Sequence, residues 1–257
     1  MGHHGQMHAR QGVAEPATPP DVDVPAPLYA RSFSVRSRHS ALSESQRSTW
    51  QRRWPELGTD TPRLGEPAPA DPLDLPRWFG RSAPVVLEIG SGAGTSTVTM
   101  AQAEPDIDVV AVEVYERGLA QLLVAIEREQ LTNIRLIRGD ALGVLEHLIA
   151  PAALIGVRVF FPDPWPKARH RKRRLLQSAT MAVIADRLQP GGLLHAATDH
   201  ADYAEQIADA GDGEPLLVRV APDAALPISV ARPITKYEAK ARDAGSAVTE
   251  FFWEKRR

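Results

Sequence analysis

The chain has 257 residues, of which 43% are hydrophobic, enough to bury the core of one α/β domain with extensions. It contains no cysteine, which excludes disulfides, cysteine zinc ligands and thiol nucleophiles and fits a reducing compartment, so we expect a cytoplasmic protein. The net charge of −2 means that any attraction to nucleic acid must come from local clusters of lysine and arginine, and no apolar run is long enough to predict a membrane span.

The first 27 residues predict a disordered tail. They are rich in proline and poor in large apolar side chains, so they cannot bury enough surface to offset the entropy of ordering. His3, His4 and His8 lie in this tail without carboxylate partners. We interpret them as solvated residues and expect no metal site.

Residues 28–76 predict a basic arm followed by a linker. Between Arg31 and Arg53, six arginines and several aromatic residues accompany a single acid, Glu44. Two interpretations remain open: a solvated helix with an apolar stripe, or an arm whose guanidinium groups pair with nucleic-acid phosphates. The proline-rich run Pro55–Pro76 indicates a connector into a domain that spans residues 77–257.

In that domain, short apolar runs alternate with segments of helical spacing. The predicted strands are Val85–Ile89, Val109–Val114, Ile134–Ile137, Val157–Phe161 and Leu193–Ala197, and the predicted helices are Thr95–Ala103, Arg117–Glu129, Ala141–Ile149 and Arg171–Leu188. Two later runs, Leu216–Val220 and Val248–Trp253, could pair as a hairpin at the sheet edge. The order predicts an α/β, Rossmann-like fold with a mostly parallel sheet and an antiparallel C-terminal edge strand.

Residues that follow the first three strands are candidates for a ligand site, because such sheets bind ligands beyond the carboxyl ends of their strands. Gly90 and Gly92 allow the backbone to turn tightly and to approach a ligand closely. Glu88 precedes this loop inside the first strand. Glu113 ends the second strand, where an acid can accept ribose hydroxyls, and Asp140 follows the third, where an acid can meet an adenine edge.

A glycine-rich turn followed by an acid also occurs in NAD enzymes. Here Thr95 stands where the dinucleotide fingerprint has its third glycine or alanine, and Glu88 lies directly before the turn. A sulfonium cofactor with an amino acid tail has no pyrophosphate to place on the helix N-terminus, so a carboxylate is tolerated there. These features favour S-adenosylmethionine over a dinucleotide, with an ordinary turn that binds nothing as the remaining alternative.

The loop after the fourth strand reads PDPWPKARHRKRR over residues 162–174. Three prolines restrict the backbone around Asp163 and Trp165, which predicts firmly held side chains. The basic residues from Lys167 to Arg174 are expected to hold phosphates. Alternatively, Asp163 caps a turn and Trp165 fills the core.

This loop resembles the signature of bacterial tRNA (guanine-N7)-methyltransferases. The segments RSF at 31–33, EIGSGAG at 88–94, TDH at 198–200 and TKYE at 235–238 resemble that family in order and spacing. The resemblance implies a class I S-adenosylmethionine-dependent methyltransferase with Asp163 as its catalytic residue. It implies that four residues bind the methyl donor: Glu88, Glu113, Asp140 and Asp163. It implies that six residues contact the tRNA substrate: Lys167, Asp199, Thr235, Lys236, Tyr237 and Glu238.

The chemistry of that reaction needs no general base. Guanine N7 already presents a lone pair, so neither His170 nor His195 has to remove a proton, and His195 is predicted to be a satisfied core residue. A carboxylate such as Asp163 stabilises the charge that moves onto the purine and could accept hydrogen bonds from N1 and N2. Trp165 is expected to shape or stack on the base.

Several alternatives stay open. Thr235 and Glu238 also have the spacing of a helix capping box, and Asp199 could cap the next helix. The chain could methylate another acceptor, such as an adenine amine, or could be a non-catalytic RNA-binding module. We expect a tRNA partner, no membrane association, and a monomer or homodimer.

Overall fold

The computed structural model describes Met1 and residues 41–62, 66–234, 238 and 247–257. The chain divides into two units, Met1–Arg31 and Ser32–Arg257, and every element below belongs to the second. The predicted tail (from residue 2) and the basic arm up to residue 40 lie outside the described residues. No helix in the described part of the chain is both long and apolar enough to cross a membrane.

Eight strands form one sheet in the order β1-β4-β3-β2-β5-β6-β8-β7. Their bounds are Gly58–Asp60 (β1), Val85–Ile89 (β2), Asp108–Glu113 (β3), Ile134–Arg138 (β4), Leu154–Phe160 (β5), Leu188–Thr198 (β6), Leu217–Arg219 (β7) and Thr249–Lys255 (β8). Strands β1 to β6 pair in parallel, whereas β8 runs antiparallel to β6 and to β7. The predicted mostly parallel sheet with an antiparallel C-terminal edge is confirmed.

Seven α-helices accompany the described part of this sheet. They are Glu44–Leu57 (α1), Leu75–Phe79 (α2), Thr95–Ala103 (α3), Glu116–Arg128 (α4), Ala141–His147 (α5), Ser178–Arg187 (α6) and Ala201–Asp212 (α7), with a 3₁₀ helix at Ala168–Arg173. The main apolar core joins α2, α5, α6 and α7 to one face of the sheet, while α1, α3 and α4 contribute to a second apolar cluster with β3 and β4. Helices therefore cover both faces, as a parallel sheet requires.

The chain order places a switch point between β2 and β5. From β2 the chain moves outward through β3 to β4, and it returns to the other side of β2 as β5. Ligands of open α/β sheets bind beyond the strand ends at such a point. The glycine-rich loop after β2 and the proline-rich loop after β5 therefore flank the same crevice.

The segment predicted as arm and linker is partly built into the fold, which corrects the interpretation of Pro55–Pro76 as a connector. Helix α1 continues through Pro55, and β1 pairs in register with β4, Gly58 opposite Leu136. Ser43 and Gln46 form a capping box that starts α1. The sheet thus begins well before residue 77.

Helix α1 packs through an apolar stripe. Trp50 and Trp54 stack with ring centroids 4.1 Å apart and border the cluster that contains Leu119 and Leu123 of α4. On its other side Arg52 donates to Glu127 at 2.9 Å. For residues 44–57 the structure supports a helix with an apolar stripe.

The predicted helix Arg171–Leu188 was wrong in its first turns. Residues 168–173 form the 3₁₀ helix, and α6 begins only at Ser178. Arg174 and Leu176 are buried between the two helices, and Arg174 has an extended backbone. Their tertiary contacts prevail over helical spacing, which is only a local signal.

Candidate active site

A cavity of about 320 Å³ opens where β2, β3, β4 and β5 end. Of the residues predicted to bind a cofactor, Gly90, Glu113 and Asp163 line it directly. Aromatic side chains complete much of the wall: Tyr115, Phe160, Phe161 and Trp165. The volume falls in the range of about 300–1,000 Å³ that is usual for small-ligand sites.

The glycines after β2 have distinct roles. Gly90 and Gly92 adopt φ angles of 79° and 56°, and a Cβ atom at either would meet nothing within 4 Å. They keep open space beside the backbone while supplying its left-handed turn. Gly94, at φ 81°, differs because a Cβ there would lie 2.4 Å from Leu122 of α4. Gly94 thus permits close packing of α3 on α4.

Glu88 is buried on β2 directly below this loop, with 3% of its surface exposed. Its Oε2 atom has no hydrogen-bond partner among the described residues. Burial raises the pKa of Glu88 to about 7, and the positive charge of Arg158, its partner in register on β5, opposes that rise. A cationic group that reached this carboxylate would favour its ionised form.

Glu113 holds the backbone at the end of β3. Its Oε1 accepts from the amides of Val114 and Tyr115 at 2.7 and 3.0 Å, and its Oε2 accepts from Gly92 at 2.9 Å. A carboxylate has about four lone-pair sites, so one remains for a ligand hydroxyl. Glu113 thus joins the β3 turn to the glycine loop and still faces the cavity.

Asp140 caps α5, accepting from the amides of Leu142 and Gly143 at 3.0 and 3.3 Å. Its neighbours Gly139 and Ala141 line the cavity, although Asp140 itself does not. The cap fixes the start of α5 beside the site.

The loop after β5 presents an exposed carboxylate from a strained backbone. Phe161 and Trp165 have φ angles of 53° and 42°, uncommon for residues with side chains, and they flank Asp163 on either side. No hydrogen bond from the described residues reaches the Asp163 carboxylate. It therefore faces the cavity instead of capping a turn.

Trp165 forms part of the cavity wall and is half-buried. The guanidinium of Arg173 lies 5.0 Å from the centroid of its ring, and His170 meets it edge-on at 5.7 Å. These contacts hold the indole in place at the cavity wall. The interpretation of Trp165 as a plug of the core is not supported.

The residues predicted to contact substrate fall into three groups. Lys167 and Asp199 are exposed and follow β5 and β6, at the same edge of the sheet as the cavity, but they do not line it. Thr235, Lys236 and Tyr237 lie outside the described residues. Glu238 is 2% exposed and pairs with buried Arg232.

Two alternatives for single residues have clear outcomes. The N-cap of α7 is His200, whose side chain accepts no hydrogen bond from the first turn, so Asp199 does not cap that helix. His195 is fully buried, as expected for a core histidine, and its Nε2 lies 2.7 Å from Oε2 of Glu250. Its Nδ1 has no hydrogen-bond partner among the described residues, so the ring is only partly satisfied. Burial lowers the pKa of His195, while Glu250 opposes that change.

Sequence reasoning missed Tyr115 as a lining residue. It directly follows the β3 turn held by Glu113 and is 42% exposed. An exposed aromatic residue just after a predicted strand end was the available signal. Its flat ring suits one wall of a site for a planar group.

Comparison with known proteins shows that the chain is a methyltransferase. A family model described as a putative methyltransferase matches residues 82–251. A tRNA (guanine-N(7)-)-methyltransferase of Mycobacterium avium is 64% identical over the full length of both chains. The protein of the same name from Mycobacterium tuberculosis H37Rv is 62% identical over 99% of this chain and 96% of that one. The chain belongs to the tRNA (guanine-N(7)-)-methyltransferase family.

Among solved structures, that of the 16S rRNA methyltransferase KamB is similar over 73% of this chain and 95% of that one, with a TM-score of 0.48 and 16% identity. A likeness of this size says nothing about the substrate. The family assignment rests on the full-length relatives.

Proposed function

We propose that this chain transfers a methyl group from S-adenosylmethionine to N7 of a guanine in tRNA, in the variable loop by family resemblance. The observation that carries the proposal is the position of Asp163. Asp163 is exposed on a strained loop and lines the same cavity as Gly90 and Glu113.

Residues in the cavity wall, together with Glu88, which is buried next to Ile89 of that wall, suit the cofactor. The unpartnered Oε2 of Glu88 would pair with the ammonium group of the amino acid tail, which would favour the ionised carboxylate. Glu113 retains a lone-pair site for a ribose hydroxyl, and Tyr115 offers a wall for the adenine ring. When bound, S-adenosylmethionine supplies an electrophilic methyl group on a sulfonium centre.

The protein's part in the reaction is to position and to stabilise charge. Guanine N7 has a free lone pair, so no residue has to remove a proton before attack. The Asp163 carboxylate would stabilise the positive charge that the purine gains and would accept its N1 and N2 protons as hydrogen bonds. Trp165, held by Arg173 and His170, would orient the base.

The tRNA is expected to bind at the basic 3₁₀ helix beside the cavity. The exposed cations there, which can pair with phosphates, are Lys167, Arg169, Arg171, Lys172 and Arg173. We further propose that the enzyme works in the cytoplasm as a monomer or a homodimer. The proposal that guanine N7 is the acceptor depends neither on the compartment nor on the oligomeric state.

Incubation with labelled donor and unmodified tRNA tests the function. We expect label on a guanine whose N7 methylation makes the chain sensitive to borohydride and aniline. Label on adenine would instead support the alternative acceptor, and no transfer together with tight tRNA binding would support a non-catalytic module.

Replacement of the catalytic carboxylate tests its role. Asp163→Ala should lower kcat by about 10²-fold or more, in the range lost with a transition-state charge partner, while the unfolding temperature stays close to that of the parent. Asp223→Ala, which removes an exposed carboxylate far along the chain from this loop, is the matched control. Full activity of the Asp163 variant would remove its assigned role.

A further inference from the structure

Arg174, the last residue of the basic run 167–174, differs from the residues before it. Lys172 and Arg173 are exposed, whereas 1% of Arg174 is exposed. The sequence predicted that the whole run holds phosphates. A backbone phosphate of the tRNA cannot reach a guanidinium that is buried in this way. Arg174 requires a separate explanation.

The contacts of Arg174 join two segments of the site. Its Nε donates to the carbonyl oxygen of Pro164 at 2.7 Å. Its Nη1 donates to Oε1 of Gln206 at 2.8 Å, and its Nη2 pairs with Asp202. Pro164 directly follows Asp163, while Asp202 and Gln206 belong to α7. One side chain therefore links the Asp163 loop to the helix that follows Asp199.

Packing around the guanidinium strengthens this link. The group lies 4.8 Å from the ring centroid of Tyr203, whose hydroxyl accepts from the amide of Leu176 at 2.9 Å. Tyr203 and Leu176 are both fully buried. The hydrogen bond from Arg174 is also the main reason that the pKa of Asp202 is lowered. The anchor on α7 therefore stays charged and fixed.

We propose that Arg174 is a positioning residue, which holds the Asp163 loop at its working distance from the start of α7 and does not bind tRNA phosphate. Two residues of that loop have left-handed φ angles, and such strain persists only where surrounding contacts impose it. The bond to the Pro164 carbonyl is a contact of that kind. The proposal rests on the proposed function of Asp163.

The geometry requires arginine. Three acceptors lie around one planar group in different directions, and the fork of a guanidinium can serve them together. A lysine ammonium keeps the charge but has no rigid fork. Arg174→Lys therefore separates charge, which a phosphate contact needs, from geometry, which positioning needs.

The test compares Arg174→Lys with Lys172→Met, an exposed cation of the same run. We expect Arg174→Lys to lower kcat on the order of 10²-fold, the loss that about 1 Å of misplacement can cause. Its tRNA dissociation constant and the salt dependence of tRNA binding should stay within two-fold of the parent. Lys172→Met should instead raise KM for tRNA more than it lowers kcat and reduce the salt slope by about one.

The proposal would be overturned if Arg174→Lys had an unchanged kcat. It would also be overturned if Arg174→Met reduced the salt slope of tRNA binding by about one. If the Arg174 variants do not fold, Asp202→Ala distinguishes positioning from phosphate binding. It removes the carboxylate that pairs with Arg174 and also with Arg171, which lies 2.9 Å from Asp202. Positioning predicts a lower kcat with tRNA binding not weakened. A phosphate role predicts tighter tRNA binding with kcat retained.

The two proposals fail in different ways. If the parent protein transferred no methyl group to tRNA, the proposed function would fail. The salt slope of tRNA binding by the Arg174 and Lys172 variants would still show whether Arg174 contacts phosphate.

Discussion

At the scale of single residues, the site depends on where charge is buried. Glu88 and Arg158 are neighbours in register on β2 and β5, and both are almost fully buried. Arg158 also donates to Glu104 at 2.5 Å and to the carbonyl oxygen of Ser229 at 3.1 Å. Arg158 thus bonds to Glu104 and acts on Glu88 only through its charge, and Oε2 of Glu88 has no hydrogen-bond partner among the described residues.

The raised pKa of Glu88 makes the stability of the cofactor-free protein depend on pH. Its pKa is about 7 in the fold and 4.5 as the reference for the unfolded chain, so the fold holds this proton more tightly. The corresponding stabilisation is present below pH 4.5 and is lost as pH rises to about 7. We expect Glu88→Gln, which mimics the protonated side chain, to gain about 3 kcal/mol over the parent between pH 4.5 and 8.

Urea unfolding of both proteins across that range, without S-adenosylmethionine, measures the difference. Asp163→Asn, a change of the same kind at an exposed carboxylate, serves as the control. If the unfolding free energies of Glu88→Gln and the parent changed in parallel with pH, burial would not raise the pKa of Glu88.

Gly90 and Gly94, both in the loop after β2, should respond differently to replacement by alanine. Both changes force a side chain into a left-handed backbone, at a cost of about 1–2 kcal/mol. Gly94→Ala also drives its Cβ into Leu122, and overpacking of this kind adds about 1–3 kcal/mol. Gly90→Ala meets no atom and should mainly weaken donor binding.

Thermal unfolding and donor titration of the two variants measure these effects. A larger loss of unfolding temperature in Gly90→Ala than in Gly94→Ala would contradict the distinction between a ligand-facing and a packing glycine.

At the scale of elements, the first helix and strand extend the sheet beyond what the sequence suggested. Arg138 of β4 donates to Asp60 of β1 at 2.5 Å and to Glu116 of α4 at 2.9 Å, and it lies 5.6 Å from the ring centroid of Trp50. Thr61, the residue after β1, approaches Gly139 so closely that any Cβ there would clash. The N-terminal elements therefore support β4, the strand that precedes Asp140.

Removal of one stacked indole should loosen this support. We expect Trp50→Ala to lower the free energy of unfolding by about 2–3 kcal/mol, because it removes apolar burial and a stacked aromatic pair. Arg47→Ala changes an exposed residue of the same helix and should stay within about 0.5 kcal/mol of the parent. Chemical denaturation gives both values, and equal effects would show that the stripe of α1 contributes nothing.

Strands were predicted more reliably than the start of helix α6. Strands β2, β3 and β4 are buried on both faces, and continuous apolar runs are the direct signature of such burial. The residues before α6 also carry helical spacing, but Arg174 and Leu176 are held by contacts with α7. Those contacts join residues about thirty positions apart, which no local pattern can reveal.

At the scale of the whole molecule, the predicted tail of residues 1–27 is expected to be dispensable for chemistry. Its composition predicts no buried core, and no residue of it was assigned to the site. We expect the chain lacking residues 1–27 to retain kcat and KM for tRNA within about two-fold, because tails of this composition pack against little. Steady-state kinetics on bulk tRNA measure this, and a tenfold rise in KM would assign the tail to tRNA binding.

The sequence by itself determined the alternation of strands and helices, the acids at the strand ends and the stiff loop around Asp163. These follow from periodicity, from the backbone limits of glycine and proline, and from the rule that strand ends carry ligand sites. It could not show that β1 joins the sheet, because three residues of β1 form a strand only when β4 offers a partner.

Only the tertiary structure decided which charges are free to act. Glu88 and Arg174 look like ordinary members of a motif and of a basic run, yet burial raises the pKa of Glu88 and makes Arg174 a link between the Asp163 loop and α7. Burial and partners depend on residues distant in the sequence. The charge pattern alone therefore located the site but did not divide its residues between chemistry and support.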